Sequence, residues 1–172
     1  MMKKLLLLSL MLISLYGCRE KEQDPTVLPP ATQEGKNTGG ALVNGEVWVA
    51  RIEYDTRFNN YNYSNTSHRL KIFLREYNGN DHLSIYIDDE YNHIEEGSYA
   101  LNNTSINRGL FAKSSSFEET YYTNSENVGT LTITKFDRNK NIASGTFEFD
   151  AVNVNGEIVH ITQGRFDKKF AQ

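Results

Sequence analysis

From Val47 to its end the chain consists of short runs in which apolar and polar residues alternate, cut apart by Asn-Gly and other turn-forming sequences. A two-residue period places successive side chains on opposite faces of a strand, so each run offers one face to a core and the other to water. His68 to Tyr77 sets Leu70, Ile72 and Leu74 on one face and Arg69, Lys71 and Arg75 on the other. The return run sets Leu83, Ile85 and Ile87 against Ser84, Tyr86 and Asp88, with Asn78-Gly79-Asn80-Asp81 as the turn. That is an antiparallel hairpin. Ala41 to Ala50 carries Asn44-Gly45 between two strand-forming runs. A type I′ turn favours such a pair because both central residues take positive φ. Trp48, Ala50, Ile52 and Tyr54 then share the face turned to the core. No stretch after the leader has the 3.6-residue period of an amphipathic helix.

The last third repeats the pattern. Gly129 to Phe136 reads as a strand, Asp137 to Asn141 as a turn, and Ile142 to Ala151 as a strand with Phe147 and Phe149 inward. Asn155-Gly156 turns the chain into Glu157 to Thr162, and a closing strand starts at Gly164. Weaker strands are expected at Ser98 to Leu101, Gly109 to Lys113 and Phe117 to Thr123. Turns every eight to twelve residues are the mark of an all-β fold. Residues 40–172 are expected to form a single antiparallel β-sandwich or a meander curled into a partly closed barrel. Asp55 to Ser67, rich in Asn and Tyr, reads as a long loop, the kind that often carries function.

The start of the chain has another character. Lys3 and Lys4 precede an apolar run from Leu5 to Leu15, the layout of a secretory signal peptide and too short to span a bilayer. Cys18 is the only cysteine in the sequence, which excludes an intramolecular disulfide and a thiolate zinc cluster. Leu15-Tyr16-Gly17-Cys18 resembles the lipobox of bacterial lipoproteins, with Tyr16 bulkier than that pattern usually holds. The resemblance implies that residues 1–17 are removed and that Cys18 is acylated, tying the chain to a membrane. Residues 18–39, charged at first and then rich in turn formers, are expected to be a flexible tether.

Charge and motif content narrow the function. Removing Lys3 and Lys4 from the 18 basic side chains leaves 16 against 22 acidic ones, a charge near −6. Nucleic acid is therefore excluded as an expected partner, since the only adjacent basic pair after the leader is Lys168-Lys169. His68, His82, His93 and His160 lack metal-ligand spacing, and no nucleophile elbow or phosphate loop is present. Asp137, Asn139, Asn141 and Glu148 fall at calcium-loop spacing, but Ile142 stands where that loop needs glycine, so a hairpin turn is the better reading. No catalytic residue, metal ligand or cofactor is assigned. The ligand-binding candidates are Phe58, Tyr61 and Tyr63, flat aromatic faces among asparagines that suit sugars or peptides.

Gly40 to Trp48, Gly129 to Asp137, Ile142 to Phe147 and Ile161 to Asp167, taken in that order, are similar to a family of lipoproteins of unknown function found mainly in Bacteroidota. The resemblance implies an all-β fold and a cell-envelope location, and carries no activity. The expected function is a non-catalytic binding module on an outer-membrane lipid anchor, facing either the periplasm or the environment, with a glycan or envelope protein as partner. The alternatives are a glycan hydrolase using two carboxylates and a lipocalin-like binder of a small apolar ligand. A Cys18→Ala chain is expected to move from the membrane fraction to the soluble fraction of cells expressing it. Retention of the variant in membranes would remove the lipid anchor from the account.

Overall fold

The structure is a computed structural model that describes residues 24–51, 56–61, 67–89, 94–103, 107–114 and 117–171. The leader and Cys18 lie outside the described residues, as do Ile52, Tyr54 and Tyr63. Among the described residues the chain is all-β, with eleven strands and no helix. They are β1 (Thr38–Val43), β2 (Glu46–Val49), β3 (Thr56–Tyr61), β4 (Ser67–Arg75), β5 (His82–Asp89) and β6 (Gly97–Leu101). There follow β7 (Arg108–Ala112), β8 (Thr120–Tyr122), β9 (Gly129–Asp137), β10 (Ile142–Val152) and β11 (Ile158–Ala171).

The long hairpin of β10 and β11 is the spine. Its ladder runs from Ile142 opposite Lys169 to Val152 opposite Ile158. One edge of β11 takes β1 over Ile161 to Asp167 and then β3 at Phe170 and Ala171, while one edge of β10 takes β9 and then β8. β4, β5 and β7 bridge from β3 to β8, so the pairing returns on itself as a strongly curled sheet, a partly closed barrel. Closure is thin at two places: the two-residue parallel pairing of β3 with β11, and the single pairing of Val152 with Tyr122. The remaining pairings are antiparallel.

Alternation fixes what lies inside. Leu70, Ile72, Leu74, Leu83, Ile85 and Ile87 are all buried, as the sequence pattern requires. Phe147, Phe149 and Phe166 join them, with ring centroids 6.3 Å apart for Phe147 and Phe149 and 6.5 Å for Phe147 and Phe166. Trp48 meets Phe111 edge-on at 6.3 Å. Among the described residues these side chains pack into one hydrophobic cluster. Gly164 is part of the fit, since a Cβ there would stand 2.3 Å from the Phe147 ring.

Three segments depart from the sequence expectation. The first is Gln163-Gly164, which reads as a break between two strands but lies within one continuous β11. Gln163 takes φ 50°, and the ladder shifts by one residue, so Phe147 pairs with Gly164 and Phe149 with Ile161. The bulge switches parity. Val159 and Ile161 are buried before it, and Gly164, Phe166 and Phe170 after it. Second, residues 56–61 of the expected long loop are β3, hydrogen-bonded along β4 from Arg57 opposite Lys71 to Tyr61 opposite Ser67.

The third departure lies in the span read as tether. Thr32 to Asn37 form a strap across the outer side of the spine, gathered on one carboxylate. Asp167 accepts the Thr32 hydroxyl at 2.5 Å, the Ser144 hydroxyl at 2.7 Å, and the N–H groups of Gly35 at 2.7 Å and Glu34 at 3.0 Å. The Lys36 N–H adds a longer bond at 3.3 Å. Asn37 then accepts the Lys169 N–H through its side chain and the Lys168 ammonium through its carbonyl. Burial alone would raise the Asp167 carboxyl, but the bonds from Thr32, Ser144, Glu34 and Gly35 outweigh it and hold it below the ordinary value.

A carboxyl depressed in the folded state stabilises the protein above its unfolded pKa, near 4, and that stability is lost as pH falls through the folded value. Asp167→Asn is therefore expected to cost about 3 kcal/mol at neutral pH and to flatten the acid limb of the stability curve. Urea unfolding between about pH 3 and 7 checks both, and an unchanged acid limb would deny Asp167 this role.

Candidate functional site

The sheet places its most distinctive surface on the outer side of β4, β5 and β7. Because Leu70, Ile72 and Leu74 point inward, Lys71, Phe73 and Arg75 share the outer face of β4. Register sets Tyr86 of β5 between Lys71 on one side and Arg108 of β7 on the other. The Lys71 ammonium lies 5.3 Å from the Tyr86 ring centroid and the Arg108 guanidinium 4.8 Å. Along β4, Phe73 is flanked in the same way by Lys71 at 5.1 Å and Arg75 at 5.6 Å. Cation and ring thus alternate in one chain: Arg75, Phe73, Lys71, Tyr86, Arg108.

Each such contact contributes about 0.5–1 kcal/mol at an exposed site. The larger effect is on order. A free Lys or Arg side chain carries about 2 kcal/mol of rotamer entropy, and a ring that restricts it removes part of that cost from later binding. Neither Lys71 nor Arg108 is paired with a carboxylate among the described residues. Arg69, next along the face, is joined to Asp88.

His82 reports the field of this surface. It lies opposite Arg75 on β5, its ring 5.5 Å from that of Phe73. Burial lowers its pKa most, the charges of Arg75 and Lys71 lower it further, and Asp81 offsets only part of this. A chain that is acidic overall therefore carries a positive face. Sequence reading missed it because it sought adjacent cations, whereas these are four residues apart on one strand and a strand removed on another. The adjacent pair Lys168-Lys169 makes no such surface, since Lys168 is wholly buried.

The sequence candidates fall beside this face. Phe58 and Tyr61 lie on β3, the neighbour of β4, opposite Leu70 and Ser67, while Tyr63 is outside the described residues. Among the described residues no three His, Asp or Glu side chains gather where a metal could sit. Asp137, from the calcium-spaced set, instead accepts the N–H groups of Asn139 and Lys140 and caps the β9–β10 turn. A groove of about 490 Å³ at this turn brings Asp137 together with Glu95 and Phe136. Asp137 is engaged by its turn and stands 3.9 Å from the Lys135 ammonium.

A family described as a domain of unknown function, DUF6252, matches residues 41–168. The chain belongs to that family. The matched span opens in β1 and closes at Lys168, so it holds the spine, the cation–aromatic face and Asp167, and begins after the strap. Family membership accordingly agrees with the expectation of a domain of unknown function and assigns no activity. No curated protein and no solved structure matches the chain.

His82 is expected to titrate below the ordinary histidine value, near 6.5. Lys71→Gln removes one of the charges that depress it and is expected to raise it. Proton NMR titration of both proteins reads this directly, and an unmoved His82 would deny the field.

Proposed function

We propose that the chain is an outer-membrane lipoprotein whose β domain is a non-catalytic binding module, and that its recognition surface is the cation–aromatic face, taking an acidic glycan. The observation that carries this reading is the register that sets Tyr86 between Lys71 and Arg108. Cations ordered by rings are poised to meet carboxylates or sulfates with little further ordering. The anchor half of the proposal rests on the sequence: the leader of Lys3 to Leu15 and the lone Cys18 behind it.

A glycan is favoured over a duplex because the face is small and the rest of the chain is acidic. Duplex binding draws on many phosphate contacts spread along a groove, which a net negative body opposes. Three ordered cations suit a short stretch of a polyanion.

Affinity electrophoresis of the full-length chain in detergent through gels containing polygalacturonate or dextran tests the reading. Stronger retardation is expected by polygalacturonate than by dextran. It should weaken about tenfold in Arg108→Gln and Lys71→Gln, a loss of about 1.4 kcal/mol, and fade with added salt. An anion bound at the face would raise the His82 pKa, so retardation should also strengthen as pH falls below about 6.5. Equal mobility in both gels, or variants that behave as the parent, would overturn the proposal.

A further inference from the structure

A second concave surface lies on the outer side of the spine, away from the cation–aromatic face. It is a trough of about 310 Å³ running across β9, β10 and β11. Thr130 and Thr132 line it from β9, Thr146 and Glu148 from β10, and Gln163 and Arg165 from β11. Register explains the grouping. Thr132 pairs with Thr146, and Thr146 with Arg165, so one row crosses three strands, while Thr130 and Glu148 form the row beside it.

Two bulges shape the trough. One is the shift between Ser144 and Gly145 against β9, and the other is the Gln163 bulge against β11. Extra twist at such bulges hollows a surface that a flat sheet would leave level. At Gln163 the left-handed backbone turns the carbonyl so that it accepts the Arg165 Nε–H at 3.1 Å, which folds that guanidinium along the trough wall. On the far wall the hydroxyls of Thr132 and Ser98 lie 3.3 Å apart. Thr130, Thr146, Glu148 and Gln163 are exposed.

The chemistry of this lining differs from that of the cation–aromatic face. Three hydroxyls, an amide, a carboxylate and a guanidinium alternate donors and acceptors, and the one acid and one base leave the site without net charge. A ligand matched to it carries many hydroxyls and no charge. We infer that the trough is a binding site for a neutral saccharide, of the size of one or two sugar rings, distinct from the site of the proposed function and independent of it. Glu148 and the Thr146 hydroxyl accept sugar hydroxyls, Arg165 donates to them, and the twist of the two bulges supplies the concavity.

The test is a titration of the full-length, isotope-labelled chain in detergent with cellobiose, maltose and N,N′-diacetylchitobiose, followed by amide shifts. Saturable shifts at Thr130, Thr132, Thr146, Gln163 and Arg165 with at least one sugar are expected, unaffected by salt. Thr146→Val and Glu148→Gln keep side-chain shape at exposed positions, and each is expected to weaken binding about tenfold. Lys71→Gln, which would impair the cation–aromatic face, should leave this binding unchanged. Shifts that fall elsewhere, or none with any of the three sugars at about 50 mM, well above a millimolar Kd, would overturn the inference.

Discussion

The ladder between β10 and β11 is the constraint on which the rest of the molecule depends. A curled sheet needs one pair of strands long enough to carry different neighbours at its two ends, and this hairpin does so on both edges. β1 and β3 share β11, and β9 and β8 share β10. The bulge at Gln163 makes the arrangement possible, because a strand of fixed parity could not bury both Ile161 and Phe166. The same parity switch turns Asp167 outward beside Ser144, where the strap finds it. Core, closure and strap therefore share one cause.

Function enters where the sheet leaves surfaces that packing does not consume. On β4, β5 and β7, antiparallel register turns alternating cations and rings into a single ordered array. None of those residues is placed by the core, whose needs are met by the opposite face of the same strands. Side chains that the fold does not require, held in order at some cost in charge repulsion, are where a recognition role is best sought.

Much of this architecture is legible in the sequence, and the illegible parts share a reason. The strands of residues 68–88 and 129–152 follow from strict alternation, and Asn44-Gly45 from its turn chemistry, with φ values of 51° and 86° in the structure. β3 is hidden because Arg57, Asn59 and Asn60 give it the composition of a loop, and its identity depends on β4 and on a distant end of β11. The strap is hidden for the same kind of reason. Its polar residues have no local periodicity, and their partner Asp167 lies 135 positions from Thr32. The cation–aromatic face follows only from register, which composition does not contain. Of the sequence candidates, Phe58 and Tyr61 lie on β3, paired with Leu70 and Ser67 of the strand that carries part of that face.

The strap also sets a length. Were the chain free up to residue 39, the domain would swing on a leash of more than twenty residues from Cys18. Packing of Leu28 and Pro29 against Gly40 leaves ten, from Cys18 to Val27, whose full extension is about 35 Å. On the proposal that Cys18 is acylated, that distance is the outer radius within which the proposed surfaces would search.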